Sequence, residues 1–565
     1  MSNAIDDSTI SIRGSNGTHK TNGQGSGVAL DTEAIVVGAG FSGLRMLLEL
    51  RKRGIAAKVL EAGSGVGGTW FWNTYPGCRT DCESWVYCMN FSDELCQEWT
   101  WKERYAPQSD VRAYLNYVAD RFNLRKDITL DTRVTAASFD ESRAIWKVQC
   151  AGPGDSRASL TCRFLVFATG LLSTAKQIPF AGFDTFEGEW YQTSSWPREA
   201  VSCQGKRVAV VGTGSTGVQL IPVVAHVAKS VHVFQRTPNY ILPARYENLS
   251  QEHITSIKDS YNSIWDRARA QTMGLDMPPA GRVLADVEGD PTAIRRVLDS
   301  AYEMGGFGYL FQVFDDLFTN KEANEIMCDY LREKTNAIVK DPKTAALLNP
   351  DYPLFTKRPA IGHRYLEAFN KPNVHLVDVC ADPIEAVTPS GIRTAKQDYE
   401  VDIIIYAIGF DAVTGALTDI DIQGRHGRSL RNEWSKTIDT YQGLTVEGFP
   451  NMFMLSGPKS TFANFPMLLA STALEIGKMI SFVSHNRVRT IEPSKDAQDR
   501  WHDLCEMIFQ GTVLAADATR TNSWAVGANI PGKPTGTLYF FGGLPAYVGN
   551  IQEESAAGFP SYRFT

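Results

Sequence analysis

The sequence predicts an α/β protein built from two Rossmann-like dinucleotide-binding domains, the second inserted in the first and carrying a helical excursion. Two glycine loops, Gly-Ala-Gly-Phe-Ser-Gly at 38–43 and Gly-Thr-Gly-Ser-Thr-Gly at 212–217, each follow an apolar strand and open a helix. Past each loop, at the spacing of one helix and one strand, stands a polar group suited to the adenosine end of a dinucleotide. Two apolar runs ending in glycine, Arg163–Gly170 (RFLVFATG) and Asp402–Gly409 (DIIIYAIG), bracket the second loop. The pair suggests that the chain leaves the first domain at one and re-enters it at the other.

Ala34–Val37 is a short apolar strand that enters the first loop, where Gly38, Gly40 and Gly43 allow a tight turn and close backbone approach. Leu44–Arg53 carries apolar residues at helical spacing, ends in Arg51, Lys52 and Arg53, and stops at Gly54, as a helix C-terminus does. The N-terminus of this helix faces a pyrophosphate. Ala57–Leu60 is the next strand and delivers Glu61, 23 positions after Gly38, where the fold needs an acid for an adenosine ribose. Residues 67–81, GGTWFWNTYPGCRTD, have little periodicity and end in Asp81. A buried aspartate is costly without a partner, which makes Asp81 a candidate site residue. An amphipathic helix over 108–123 and short strands over 128–150 read as scaffold.

The strand Arg207–Val211 enters the second loop, and an apolar helix runs to about Ala228. The strand Val231–Phe234 then ends in Gln235-Arg236-Thr237 instead of an acid. Arg236 and Thr237 suit a 2′-phosphate, so this half reads as an NADP site. One loop with an acid and one with an Arg-Thr pair imply a flavoprotein reduced by NADPH. Phe186–Pro197 (FEGEWYQTSSWP) lies between the loops and is a hinge candidate. Lys357 and Arg358, before Pro359, read as a solvated surface pair. Phe453–Pro458 reads as strand and turn, 465–484 as a long helix, and the loop 457–465, with Lys459, Phe462, Asn464 and Phe465, as a pocket wall. Trp524–Pro534 is a rigid aromatic and proline-rich loop.

The expected layout is a disordered tail over 1–30, FAD-binding segments at 31–170 and 401–565, NADPH-binding segments at 171–243 and 351–400, and a helical subdomain at 244–350. At 565 residues two to four domains are expected, at roughly 150 residues each. Apolar (43%) and charged (21%) contents are those of a globular protein. A net charge of −7 gives no basic field for nucleic acid or an acidic membrane. No apolar run approaches the roughly 18 residues of a membrane span, and residues 1–30 lack the apolar core of a secretory signal. Ten dilute cysteines make no disulfide framework, which points to a reducing, cytoplasmic setting. There is no HExxH and no ordered Cys/His spacing, so no metal site is expected. A monomer or weak homo-oligomer is expected.

Residues 186–197 follow the pattern F-x-G-x-x-x-H-T-x-x-W-P through Phe186, Gly188, Thr193, Trp196 and Pro197, with Gln192 in the histidine position. Gly67, Gly68, Trp70, Tyr75, Pro76, Gly77 and Asp81 match G-G-x-W-x-x-x-x-Y-P-G-x-x-x-D in full. From about residue 33 to the C-terminus the chain resembles the flavin-dependent (type I) Baeyer–Villiger monooxygenases, nearest to the phenylacetone and cyclopentanone monooxygenase group. The resemblance implies FAD contacts from Ser42, Glu61, Thr69, Trp70, Asp81, Tyr87, Val134 and Met467. It implies NADPH contacts from Gly212, Thr213, Gly214, Ser215, Thr216, Gly217, Arg236, Thr237, Lys357 and Trp524. It makes Arg358 the catalytic cation, with Asp81 beside it.

The implied reaction inserts one oxygen atom from O2 next to a ketone carbonyl, giving an ester or lactone through a C4a-peroxyflavin that Arg358 stabilises. Glutamine at 192 keeps hydrogen-bonding capacity but carries no proton charge near neutral pH, so altered coupling is expected there before lost chemistry. Alternatives are a sulfur or nitrogen oxygenase, a disulfide reductase using Cys78 and Cys82, and a degenerate protein that only binds FAD and NADPH.

Overall fold

The computed structural model describes residues 30–245 and 247–565; the tail expected over 1–30 lies outside them up to residue 29. Two five-stranded parallel sheets organise the chain. In the first the spatial order is Met452–Met454, Phe164–Phe167, Ala34–Val37, Ala57–Leu60, Ile128–Thr129. In the second it is Glu189–Gln192, Ile403–Tyr406, Arg207–Val211, Ser230–Gln235, Val374–Asp378. The central strands are continuous apolar runs because helices and small sheets cover both faces; Ala34, Ile35 and Val36 have no exposed surface.

This arrangement corrects one expectation. Asp402–Gly409 does not return the chain to the first sheet, since Ile403–Tyr406 pairs with Arg207–Val211 in the second. Each sheet has its own apolar strand ending in glycine, placed directly beside its glycine-loop strand, which explains why RFLVFATG and DIIIYAIG look alike. The first sheet resumes only at Met452–Met454, so a boundary at 401 is about fifty residues early for that sheet. Between these points, Asp421–Gln423 joins an antiparallel sheet of Arg133–Asp140, Ile145–Ala151 and Arg157–Cys162.

Phe186–Pro197 is also placed differently from a free hinge. Glu189–Gln192 forms the edge strand of the second sheet, in register with Ile403–Tyr406. Gly188 is needed there, because a Cβ would lie 2.6 Å from the Asp402 carbonyl oxygen.

The segment after 244 supplies helices at 251–259, 261–270, 291–304, 308–311, 321–338 and 342–348. Phe465–His485 is long and apolar enough to cross a membrane, with a mean hydropathy of 1.3, contrary to the expectation that no such run exists. Glu475 and Lys478 interrupt it, which hides it from a search for an unbroken run. Here it is a core helix packed on Phe41–Lys52 and Leu544–Ala556, and Glu475 is fully buried with Lys478 Nζ at 2.8 Å.

Candidate active site

The first glycine loop is shaped by contacts only glycine allows. Gly38 has φ +105°, and a Cβ there would lie 2.6 Å from the Ala168 carbonyl oxygen, at the end of the neighbouring strand. A Cβ on Gly43 would collide with the Gly38 carbonyl. Helix Phe41–Lys52 starts inside the motif, three residues before Leu44, so Ser42 lies buried in its first turn. Glu61 closes the loop from behind: the Ala39 and Gly63 N–H groups each donate to its carboxylate at 2.7 Å. Burial pushes its pKa up against those two bonds. A carboxylate accepts about four hydrogen bonds, so capacity remains for a ribose.

Around this loop, Tyr87 packs edge-on to Phe41 at 5.3 Å and to Trp70 at 5.5 Å. Thr69 opens the short helix Thr69–Trp72, and Val134 shares an apolar cluster with Val37 and Leu60. Met467 lies in the first turn of the long helix, its sulfur 3.9 Å from Asn90 Nδ2. The glycine loop, with Glu61 beneath it and Phe41, Trp70 and Tyr87 packed together beside it, fits a flavin dinucleotide.

The stretch 67–81 joins the two glycine loops. Its start packs on the first, where Gly67 N–H donates to the Ala39 carbonyl at 3.0 Å. Its middle docks on the helix of the second: Tyr75 OH donates to Gln219 Oε1 at 2.9 Å, and Gln219 Nε2 donates to the Arg79 carbonyl at 3.1 Å. Gly77 is required at this contact, since a Cβ would sit 2.5 Å from the Gln219 carbonyl oxygen.

The second loop repeats the first. Cβ atoms on Gly212 and Gly217 would collide with the carbonyls of Ala407 and Gly212, while Gly214 faces open space on that side, as close approach of a pyrophosphate needs. Ser215 and Thr216 begin the helix Ser215–Val227, and Thr213 Oγ1 donates to the Thr237 carbonyl at 3.3 Å. Arg236 is exposed at the end of its strand. Lys357 donates to the Thr521 carbonyl at 2.9 Å. Burial, followed by repulsion from Arg236 and Lys176, pulls the Lys357 ammonium down to about 8. Arg236, Lys176 and Lys357, none of them ion-paired to a carboxylate among the described residues, suit a dianionic phosphate at this edge.

Arg358 is not a solvated surface cation. Its Nε and Nη2 lie 2.9 and 2.7 Å from Asp81 Oδ2, and its side chain is 20% exposed against 32% for Asp81. The partner that a costly aspartate required is therefore present, 277 residues away along the chain. Burial is the largest single influence and opposes the guanidinium charge, but Asp81 and Cys82 together hold the pKa above its ordinary value. The guanidinium lies 4.7 Å from the Phe307 ring and 5.2 Å from Phe462. Phe462 also touches Phe355, Trp524 and Tyr539, so the cation has an aromatic wall on one side.

Cys78 and Cys82 are both buried. Burial raises Cys78 to about 12 and also lifts Cys82 well above the ordinary thiol value, so neither offers the thiolate that disulfide exchange needs. Nine of the ten cysteines are buried; the exposed one, Cys380, has Sγ 3.1 Å from the Arg236 carbonyl oxygen.

The model of the flavin-binding monooxygenase-like family matches residues 32–252. A Baeyer–Villiger monooxygenase of Pseudooceanicola batsensis is 36% identical over 537 residues, covering 94% of this chain and 96% of that protein. The chain belongs to the flavin-dependent Baeyer–Villiger monooxygenase family. Phenazine N-monooxygenase PhzNO1 of Lysobacter antibioticus is 36% identical over 535 residues, 94% of this chain and 96% of its own. A crystal structure of OTEMO in complex with FAD and NADP superposes with a TM-score of 0.90 at 36% identity, covering 95% of this chain and all of that one.

Several residues of the Baeyer–Villiger linker pattern are anchored. Phe186 and Trp196 are buried, Trp196 lies 5.2 Å from Tyr191, and Thr193 donates to the Tyr406 carbonyl at 3.4 Å. Arg198, just past Pro197, stacks on Phe71 at 3.9 Å and ties the edge strand back to the 67–81 stretch. Lys459 does not line a pocket with Phe462: it is 1% exposed, φ +65°, and turned towards the Thr537 carbonyl at 3.3 Å and Glu506 at 3.6 Å. Asn464 is also buried, donating to the Val86 and Gly274 carbonyls. Phe307, Tyr539, Gln219 and Lys176 carry no local motif, and sequence reasoning missed them.

Proposed function

We propose that this Baeyer–Villiger family member uses NADPH and O2 to insert one oxygen atom next to a ketone carbonyl, giving an ester or lactone, with FAD at the first glycine loop and NADPH at the second. The observation that carries this reading is the Asp81–Arg358 pair, whose carboxylate ends the stretch joining the two loops. FAD, reduced by hydride from NADPH, supplies the oxygen chemistry when bound.

The protein's part is electrostatic. Guanidinium stays protonated and presents a planar fork of donors, so Arg358 stabilises negative charge that develops on the reacting oxygen. Asp81 engages Nε and Nη2 and leaves Nη1 and the outer N–H of Nη2 for the reaction. Phe307 and Phe462 pack against the guanidinium and limit its contact with water, which strengthens these interactions. Arg236, Thr237 and Lys357 hold the 2′-phosphate, and Trp524 covers the site from the C-terminal loop.

A panel of cyclic and linear ketones, sulfides and aromatic amines, supplied with NADPH and O2, tests the reading. Ester or lactone products that gain one oxygen atom support it. N-oxides or sulfoxides with no ester would replace it by heteroatom oxygenation, the reading that PhzNO1 favours.

The Lys357 site adds a pH signature. Below about 8 the ammonium is charged, and the 2′-phosphate is a dianion above roughly pH 6. NADP+ affinity should therefore fall as pH rises through about 8, while NAD+ affinity stays level, and Lys357→Met should flatten the NADP+ curve. Titration of the flavoprotein with both nucleotides between pH 6.5 and 9.5, about 1.5 units on either side of that value, checks this. In the nucleotide-free protein the sign is that of a depressed base. Its stabilising share is present above the unfolded pKa of roughly 10.4 and lost as pH falls through about 8.

A further inference from the structure

Gln192, the residue in the fingerprint's histidine position, ends the edge strand of the second sheet. Its Nε2 donates to the carbonyl oxygen of Lys176 at 2.6 Å. The backbone of Lys176 is tied on another side too, since its N–H donates to the Gly409 carbonyl at 3.2 Å and Ala175 bridges to Phe410. Residues 175–176 are thereby fixed at the carboxyl end of Ile403–Tyr406. The next strand in the sheet runs into the Gly212 loop, and the one after it ends at Arg236. Ligands of such sheets bind at these carboxyl ends.

The Lys176 side chain has its own anchor, Nζ donating to the Asn529 carbonyl at 2.9 Å. An ammonium has three donors, so two remain. Among the described residues, neither Lys176, Arg236 nor Lys357 forms an ion pair with a carboxylate, whereas nearby Lys533 is paired with Asp411 at 2.6 Å. Burial, and then Arg236, push the Lys176 ammonium below its ordinary pKa. Three cations thus share one edge of the sheet; the charge of Asp411 reaches Lys176, but that carboxylate is already paired with Lys533.

We propose that Gln192 is a positioning residue for nucleotide selectivity: by fixing the main chain of Lys176, it sets that ammonium as a third cation for the 2′-phosphate, beside Arg236 and Lys357. This rests on the placement of NADPH at the second glycine loop. It gives the departure from the family fingerprint a definite task. An amide donor keeps its bond to the Lys176 carbonyl regardless of pH, whereas an imidazole does so only in tautomers or protonation states that place a proton on the facing nitrogen.

The test is direct binding to the FAD-loaded, full-length protein, with Kd for NADP+ and NAD+ measured by calorimetry. Flavin content and Tm serve as folding controls. Lys176→Met is expected to weaken NADP+ about tenfold, the scale of one charge-assisted contact, and to leave NAD+ within about twofold. Gln192→Met removes the donor at similar volume and should weaken NADP+ severalfold with the same selectivity, and Gln192→His should restore much of it. The double variant should bind NADP+ no more weakly than Lys176→Met alone, because Gln192 acts through Lys176.

Equal losses for both nucleotides, no loss in Lys176→Met, or fully additive losses in the double variant would overturn the proposal. Arg236→Ala separates the two levels. If it weakens NADP+ selectively and Lys176→Met does not, only the role of Lys176 and Gln192 fails. If Arg236→Ala itself leaves the NADP+/NAD+ ratio unchanged, the 2′-phosphate is held elsewhere and the underlying placement fails.

Discussion

Arg358→Ala is expected to keep NADPH-driven flavin reduction within about twofold of the unaltered protein and to lower oxygenated product by about 10³-fold or more. Loss of one preorganised donor to a developing oxyanion costs roughly 10² to 10³ in rate. Here the deletion also leaves the Asp81 carboxylate without its partner at 2.7 Å, where it would repel the charge that Arg358 had stabilised. The reductive half should be spared because the hydride donor is proposed to bind at the second loop and its cations. Anaerobic mixing with NADPH, followed at the flavin absorbance, measures the first quantity, and product analysis after a fixed oxygen supply measures the second. Arg358→Lys keeps the charge but loses the planar fork, so it should fall between the two. Product yield from Arg358→Ala close to that of the unaltered protein would remove Arg358 from the chemistry.

Gly43→Ala and Gly217→Ala should have large and opposite consequences for the two cofactors. Each added methyl collides with a backbone carbonyl, that of Gly38 in one loop and of Gly212 in the other. Backbone cannot move aside as a side-chain tip can, so each loop must open and lose its nucleotide. Gly43→Ala should be purified without flavin colour, and with its first sheet weakened it should unfold at lower temperature. Gly217→Ala should remain yellow while its NADP+ affinity drops by about 10²-fold or more, roughly 3 kcal/mol. Flavin absorbance and NADP+ titration of the pair read the result directly. A Gly217→Ala protein without flavin, or a Gly43→Ala protein with normal flavin, would reverse the assignment of loops to cofactors.

Features whose physics is local were legible in the sequence. Ala34–Val37 and Ala57–Leu60 are strands with the boundaries their apolar runs predict, because a strand entering a glycine turn leaves its mark on adjacent residues. The start of the first helix was displaced because Phe41, Ser42 and Gly43 belong both to the loop motif and to the first helical turn. Sheet membership was another matter. Asp402–Gly409 has the composition of a buried parallel strand, but composition does not say which of two equivalent sheets it enters; that is decided by pairing with Arg207–Val211 almost two hundred residues earlier.

The same limit applied to the site. Asp81 could be singled out as needing a partner, yet Arg358 emerged from an ordinary-looking Lys-Arg pair only through a family resemblance, and their contact spans 277 residues. Lys176 had no local signal, since its significance lies in where Gly409 and Gln192 hold its backbone. Lys459 was misplaced because a lysine beside Phe462 in sequence carries no information about a backbone at φ +65° that turns it the other way.

The burial of nine cysteines leaves the natural chain with a single chemically addressable thiol. Cys380 stands beside the carbonyl of Arg236, at the edge of the second sheet where the 2′-phosphate is proposed to bind. A maleimide fluorophore or nitroxide can therefore be attached at one defined point without first removing other cysteines. The label would report from the rim of the nucleotide site, making this protein a ready-made subject for following nucleotide arrival and departure by spectroscopy that does not depend on the flavin's own colour.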